Sequence, residues 1–115
     1  MGRITDAHQF LPLTALAFEV LLAVADGGRN GYEIMIAVEE RTKGAFSPNP
    51  GTLYRVLDRL LNEGLIATAD NETSNREGRR LYRLSKLGVQ VLGAEARRLE
   101  DQVKAARSRQ VLKRT

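Results

Sequence analysis

The chain of 115 residues contains no cysteine and no tryptophan, one histidine, three prolines, three phenylalanines and three tyrosines. Without cysteine there is no disulfide framework, no thiolate nucleophile and no Cys-based zinc site, and the lone His8 makes no metal site unless several carboxylates surround it. No cofactor is expected, and the composition suits a reducing cytoplasm. Long apolar runs are also missing. The best stretch, Leu13 to Ala25, is interrupted by Thr14 and Glu19 and is too short and too poorly flanked for a membrane span or signal peptide, so no membrane partner is expected. The glycines of Gly27-Gly28-Arg29-Asn30-Gly31 lack the preceding strand of a phosphate-binding loop, and no carboxylate pair converges in the pattern, so the chain is not expected to be an enzyme.

What is present is ordinary for one globular domain: 43% hydrophobic and 28% charged residues. The net charge of +4 hints at nucleic acid until it is located. Residues 1–94 carry eleven basic and eleven acidic side chains, and residues 95–115 carry seven against three. The whole excess therefore lies at the C-terminal end, and a nucleic-acid reading has to rest on local clustering.

Hydrophobic periodicity predicts a first helix over Pro12–Asp26, with Leu13, Leu16, Ala17, Val20, Leu21 and Val24 on one face and Phe18 and Leu22 outside it, which leaves two sides to cover. His8 precedes the part expected to fold. Asn30 and Glu33 open a second helix as a capping-box pair, and that helix runs to about Thr42, with Glu39, Glu40 and Arg41 ending it in solvent. Asn49 followed by Pro50 is a strong start signal for a third helix ending near Glu63. On a wheel of about 100° per residue, Leu53, Val56, Leu57, Leu60 and Leu61 fall on one side of it and Thr52, Arg55, Asp58, Arg59 and Asn62 on the other. Gly64 is placed for a left-handed cap, with Leu65 returning towards Leu60. Two β-prone runs, Ile66–Asp70 and Arg79–Leu84, then flank a polar tip, and Ser85 caps a last helix of about 25 residues.

Three short helices followed by a hairpin is the connectivity of a winged helix-turn-helix, in which the third helix enters the DNA major groove. The fold class is thus mainly α with a small two-stranded β-wing, residues 12–84 forming the DNA-binding domain and 85–112 a C-terminal dimerisation helix. The reading face is Thr52, Arg55, Arg59 and Asn62: arginine can pair with guanine O6 and N7, asparagine suits adenine, and threonine meets a phosphate or a thymine methyl. Asn49 belongs to the same helix end, where backbone amides face an anion. Residues 41–62 carry four basic side chains against Asp58, and residues 76–86 five against Glu77. Arg79 and Arg80 at the wing base are the expected phosphate contacts. On the last helix Leu92, Ala96, Leu99, Val103, Ala106 and Gln110 recur at spacings of four and three, a heptad seam that asks for a second copy.

The run Gly51-Thr52-Leu53-Tyr54-Arg55-Val56-Leu57-Asp58-Arg59-Leu60-Leu61-Asn62-Glu63-Gly64-Leu65-Ile66, followed by Gly78-Arg79-Arg80-Leu81-Tyr82-Arg83-Leu84-Ser85 and Gly88, resembles the PadR family of bacterial transcriptional regulators over about Leu13 to Leu92. The resemblance implies that Thr52 and Tyr54 lie at the DNA face, and Arg55 departs from it, since proline often stands there. It further implies a homodimer joined through the last and first helices, repression by occupying promoter DNA, and in some members release by a small molecule; which compound, if any, does not carry over, and a small apolar or aromatic effector is the candidate partner. The competing reading is a winged helix that binds protein instead of DNA.

Overall fold

The computed structural model describes residues 7–68 and 80–112. Its elements, in chain order, are α1 (Ala15–Ala23), β1 (Arg29–Asn30), α2 (Gly31–Arg41), α3 (Pro50–Asn62), β2 (Ile66–Thr68), β3 (Leu81–Leu84) and α4 (Lys86–Ser108).

Each helix begins where a side chain can accept an otherwise orphaned amide. Thr14 caps α1 by accepting from Ala17, Asn30 and Glu33 form the reciprocal box that opens α2, Asn49 caps α3, and Ser85 caps α4. The end of α3 is a Schellman cap: Gly64 sits at φ +78°, its amide bonds the Leu61 carbonyl at 3.0 Å, and the Leu65 amide bonds Leu60 at 2.9 Å. Helix α1 is shorter than the apolar run that predicts it, because Thr14 starts it three residues after Pro12. Helix α4 ends at Ser108, so Gln110, the last position of the predicted seam, lies beyond it.

The wing differs from the two-stranded expectation. Its sheet has three antiparallel strands in the order β1-β3-β2, with Arg29 opposite Tyr82 on one side and Thr68 opposite Tyr82 on the other. A two-residue strand has no periodicity to detect, and Asn30, read as a helix cap, serves both as cap and as strand partner of Leu81. Ala69, Asp70 and the wing tip fall outside the described residues.

The core joins Val20, Leu21 and Val24 of α1, Ile34 and Val38 of α2, Leu53, Leu57 and Leu60 of α3, and Val91 of α4. Residues before α1 are part of it. Ala7 is buried and Phe10, Leu11 and Leu13 pack against the cluster, so the stretch that His8 belongs to is not a free leader, although His8 itself is exposed. Two buried carboxylates also depart from the expectation. Glu19 on α1 is held by the Arg41 Nε at 2.6 Å and by the Arg41 Nη2, so Arg41 ties α2 to α1 instead of merely ending a helix in solvent. Glu95 on α4 accepts from the Leu13 amide at 3.0 Å and from Arg98 Nε at 2.6 Å.

The Arg98 hydrogen bond holds the Glu95 carboxyl below the usual carboxylate range; burial opposes it, and the Leu13 amide and the Arg98 charge assist it. A depressed folded-state value means that the stabilisation is complete above the unfolded value of about 4.3 and is lost as pH falls through the lower folded one. Thermal melts of the wild type and Glu95→Gln should therefore differ by a constant amount from neutral pH down to about pH 5 and converge in stronger acid.

The first turn of α4 is locked to the end of α3. The Ser85 amide bonds the Leu65 carbonyl at 3.1 Å, the Ser85 hydroxyl donates to the Gly64 carbonyl at 2.6 Å, and Gly88 lies so close that a Cβ there would stand 2.0 Å from the Leu65 carbonyl oxygen. That neighbour is backbone and cannot swing away. Gly88→Ala should destabilise the fold by about 1–3 kcal/mol, read from denaturant midpoints at unchanged slope.

Candidate nucleic-acid interface

Helix α3 buries Leu53, Leu57 and Leu60 and turns Tyr54, Arg55, Asp58, Arg59 and Asn62 outward. The separation follows from an apolar repeat of three and four residues, which places all the leucines on one side of a 3.6-residue turn. At its N-terminal end the polar groups converge. Asn49 Oδ1 takes the Thr52 amide at 2.8 Å, the Arg55 guanidinium reaches back to the Thr52 hydroxyl at 3.3 Å, and a Cβ on Gly51 would lie 3.9 Å from Arg55 Nη1. Asn49, Thr52 and Arg55 thus stand together over the first turn, where the helix dipole favours an anion and the Gly51 amide has no intrahelical acceptor.

Arg59 is placed differently. It is 65% exposed but pairs with Glu63 one turn later, Nε to Oε2 at 3.2 Å. An exposed i,i+4 pair contributes only about 0.3–0.5 kcal/mol, against roughly 1–3 kcal/mol for a bidentate guanine contact, so the pair does not prevent Arg59 from turning to a base edge.

Tyr54, at the boundary of the two faces, does both things that its position allows. It is 45% exposed, and its hydroxyl fills the space at Gly31, where a Cβ would come within 2.2 Å of it. The ring therefore bridges α3 to the first residue of α2. Beside it lies Tyr82 of β3, a residue that periodicity alone did not single out. Burial pushes the Tyr82 phenol up from its ordinary value and the nearby Tyr54 adds to that, while Arg80 pulls it down, in part by a hydrogen bond, and Asp58 pushes it up. Tyr54, Asp58 and Arg80 therefore all lie within electrostatic reach of the Tyr82 phenol, and Arg80 hydrogen-bonds it. Arg79 falls outside the described residues.

On α4 the burial pattern changes at Glu95. Gly88, Val91, Ala94 and Glu95 are buried, and no residue from Ala96 to Ser108 is. Leu92, Leu99 and Ala106 are half-buried, Ala96 is exposed and Val103 is 44% exposed. Val89, 58% exposed, extends the same seam by one position and was not part of the predicted set; its spacing of three before Leu92 was the available signal.

Residues 20–94, well over half of the chain, match the family described as the Transcriptional regulator PadR-like family. The chain belongs to the PadR-like family. Its members are transcriptional regulators and not enzymes. Among curated relatives, the transcriptional regulator YqjI of Escherichia coli is 32% identical over 79 residues, a stretch that takes in 66% of this chain and 36% of YqjI, so the chain spans about a third of that relative's length. Among solved structures, Bacillus subtilis PadR in complex with operator DNA superposes with a TM-score of 0.61 at 24% identity, covering 72% of this chain and 47% of that one. A PadR-like transcriptional regulator from Bacillus cereus gives a TM-score of 0.73 at 18% identity, covering 91% and 99%. At these identities the two structures establish the PadR winged-helix fold. Among the described residues no helix is long and apolar enough to cross a membrane, and no group of three or more His, Asp or Glu is placed to hold a metal ion.

Proposed function

We propose that this PadR-like chain is a homodimeric regulator, acting in the cytoplasm, that binds double-stranded promoter DNA and represses by occupying it. Residues 12–84 are the DNA-binding unit and 85–112 the dimerisation helix. Thr52, Tyr54, Arg55 and Arg59 enter the major groove, and Asn49, Arg79 and Arg80 contact phosphates. The observation that carries the reading is the convergence of Asn49, Thr52 and Arg55 over the exposed end of a helix whose other side is buried by leucines. The operator-bound state of Bacillus subtilis PadR supports it by likeness of fold.

The seam formed by Leu92, Ala96, Leu99, Val103 and Ala106 pairs two copies, and two-fold symmetry calls for a palindromic operator with half-sites about 34 Å apart or a multiple of that. A small apolar or aromatic effector releasing the DNA completes the reading. Footprinting on the DNA flanking the protein's own gene, at stated salt and with candidate ligands added, tests it. A protected palindrome that is lost on adding ligand is the expected result. A chain that protects no DNA is the protein-binding alternative.

A further inference from the structure

The buried carboxylate of Glu95 lies where α4 leaves the domain, since α4 residues up to it are in part buried and none after it is. Its side chain is 1% exposed and meets three donors: the Leu13 amide at 3.0 Å and Arg98 Nε and Nη2 at 2.6 and 3.0 Å. Arg98 is on the same helix three residues away, so that ion pair by itself joins nothing to anything. The bond that spans elements is the one to Leu13, 82 residues distant in sequence and immediately before the α1 cap. The division of labour is clear from the physics. A carboxylate buried without a counter-charge would take up a proton, so Arg98 keeps the group ionised and aimed, and the ionised oxygen makes the stronger bond to the backbone.

Leu13 also faces α3 across a cavity. With Phe10 and Pro12 it lines one wall of a cavity of about 250 Å³ whose other wall includes Val56, Arg59 and Leu60 of α3. The Glu95 bond therefore grips a segment that leads into α1 and faces the flank of α3 across that cavity. We infer that Glu95 is a positioning residue for operator spacing: through Leu13 it fixes the angle between the exposed half of α4 and the DNA-binding unit. The inference rests on the dimeric operator-binding reading. Residues 96–108 form a lever of roughly 20 Å at 1.5 Å per residue. A tilt of about 10° at its root displaces the far end by about 3.5 Å, close to the 3.4 Å step of one base pair. In a dimer joined along that lever, loosening the root blurs the distance between the two recognition helices.

The test uses the full chain and the footprinted palindrome with its half-site separation changed by one and two base pairs in each direction. Glu95→Gln keeps the volume and one acceptor but turns an amide NH₂ towards Arg98 or Leu13. Arg98→Gln, at a residue about one-third exposed, removes the counter-charge more gently and serves where the first variant folds poorly. Wild type should prefer one spacing over its neighbours by about tenfold or more, as expected where a rigid protein must twist or bend DNA to fit. In the variants that ratio should fall to about threefold or less, while sedimentation still shows a dimer and affinity for the best spacing drops less than the discrimination does. A structural role alone would lower the melting temperature and leave the spacing profile unchanged. A sharp wild-type preference that both variants retain overturns this inference alone. A wild type that binds the palindrome at no spacing overturns the operator-binding reading as well.

Discussion

Replacing Leu99 and Val103 together by aspartate is expected to convert the protein to a monomer at low micromolar concentration and to weaken operator binding by about 10²- to 10⁴-fold, the range in which tethering two sites multiplies affinity. Both side chains lie on the half of α4 that its own domain does not bury, and Val103 is 44% exposed in the single chain. Four carboxylates brought together along one apolar seam would repel each other and be desolvated with no partner. The domain itself should be unaffected, because its core ends at Val91 and Ala94 on this helix. Sedimentation and anisotropy titration on the same preparation check both halves of the expectation. Unchanged sedimentation would show that the seam is not the dimer contact.

Arg55→Ala is expected to cost about 1–3 kcal/mol of specific operator binding, roughly 5- to 150-fold, and to relax base preference at one position in each half-site. The reasoning separates Arg55 from Arg59. Arg55 is exposed at the N-terminal end of α3 and, among the described residues, is held only by the Thr52 hydroxyl at 3.3 Å, so it is pre-placed with no carboxylate of theirs to shed. Arg59 has to leave Glu63, 3.2 Å away, before it can pair with a base, and its removal should have the smaller effect. If Arg55 meets a phosphate instead, the alanine variant will weaken binding to all sequences alike and reduce the salt slope by about one. Unchanged operator affinity in the double variant Arg55→Ala with Arg59→Ala would remove α3 from the interface altogether.

How legible these features were in the sequence depended on the range of the interactions that make them. Helix α3 could be read from end to end, from the Asn49-Pro50 start to the Gly64-Leu65 exit, because capping and amphipathicity are settled within four residues of each position. The cap pairs Asn30 with Glu33 and Ser85 with Gly88 are local for the same reason. The exposed side of α3 was equally legible, since it is a question of angle around one helix.

Strand β1 was not legible. Two residues carry no period, and Arg29 and Asn30 are a strand only because β3 lies alongside them more than fifty residues later in the chain. The packing of residues 7–13 on the core was hidden for another reason: Ala7, Phe10 and Leu11 stand at helical spacing, but the stretch is too short to show a period and finds its partners across the domain.

From sequence alone it was possible to read where α2 and α3 start and stop and which side of α3 is apolar, because those properties depend on neighbours one turn away. Tertiary structure alone decided what joins the pieces. Glu19 reads as an interruption in an apolar helix and Glu95 as one more charge on a polar one, yet folding buries both and gives each an arginine, Arg41 from another helix and Arg98 from its own. A carboxylate's surroundings are set by whatever the chain brings to it in space, and for Glu95 that includes an amide 82 residues away.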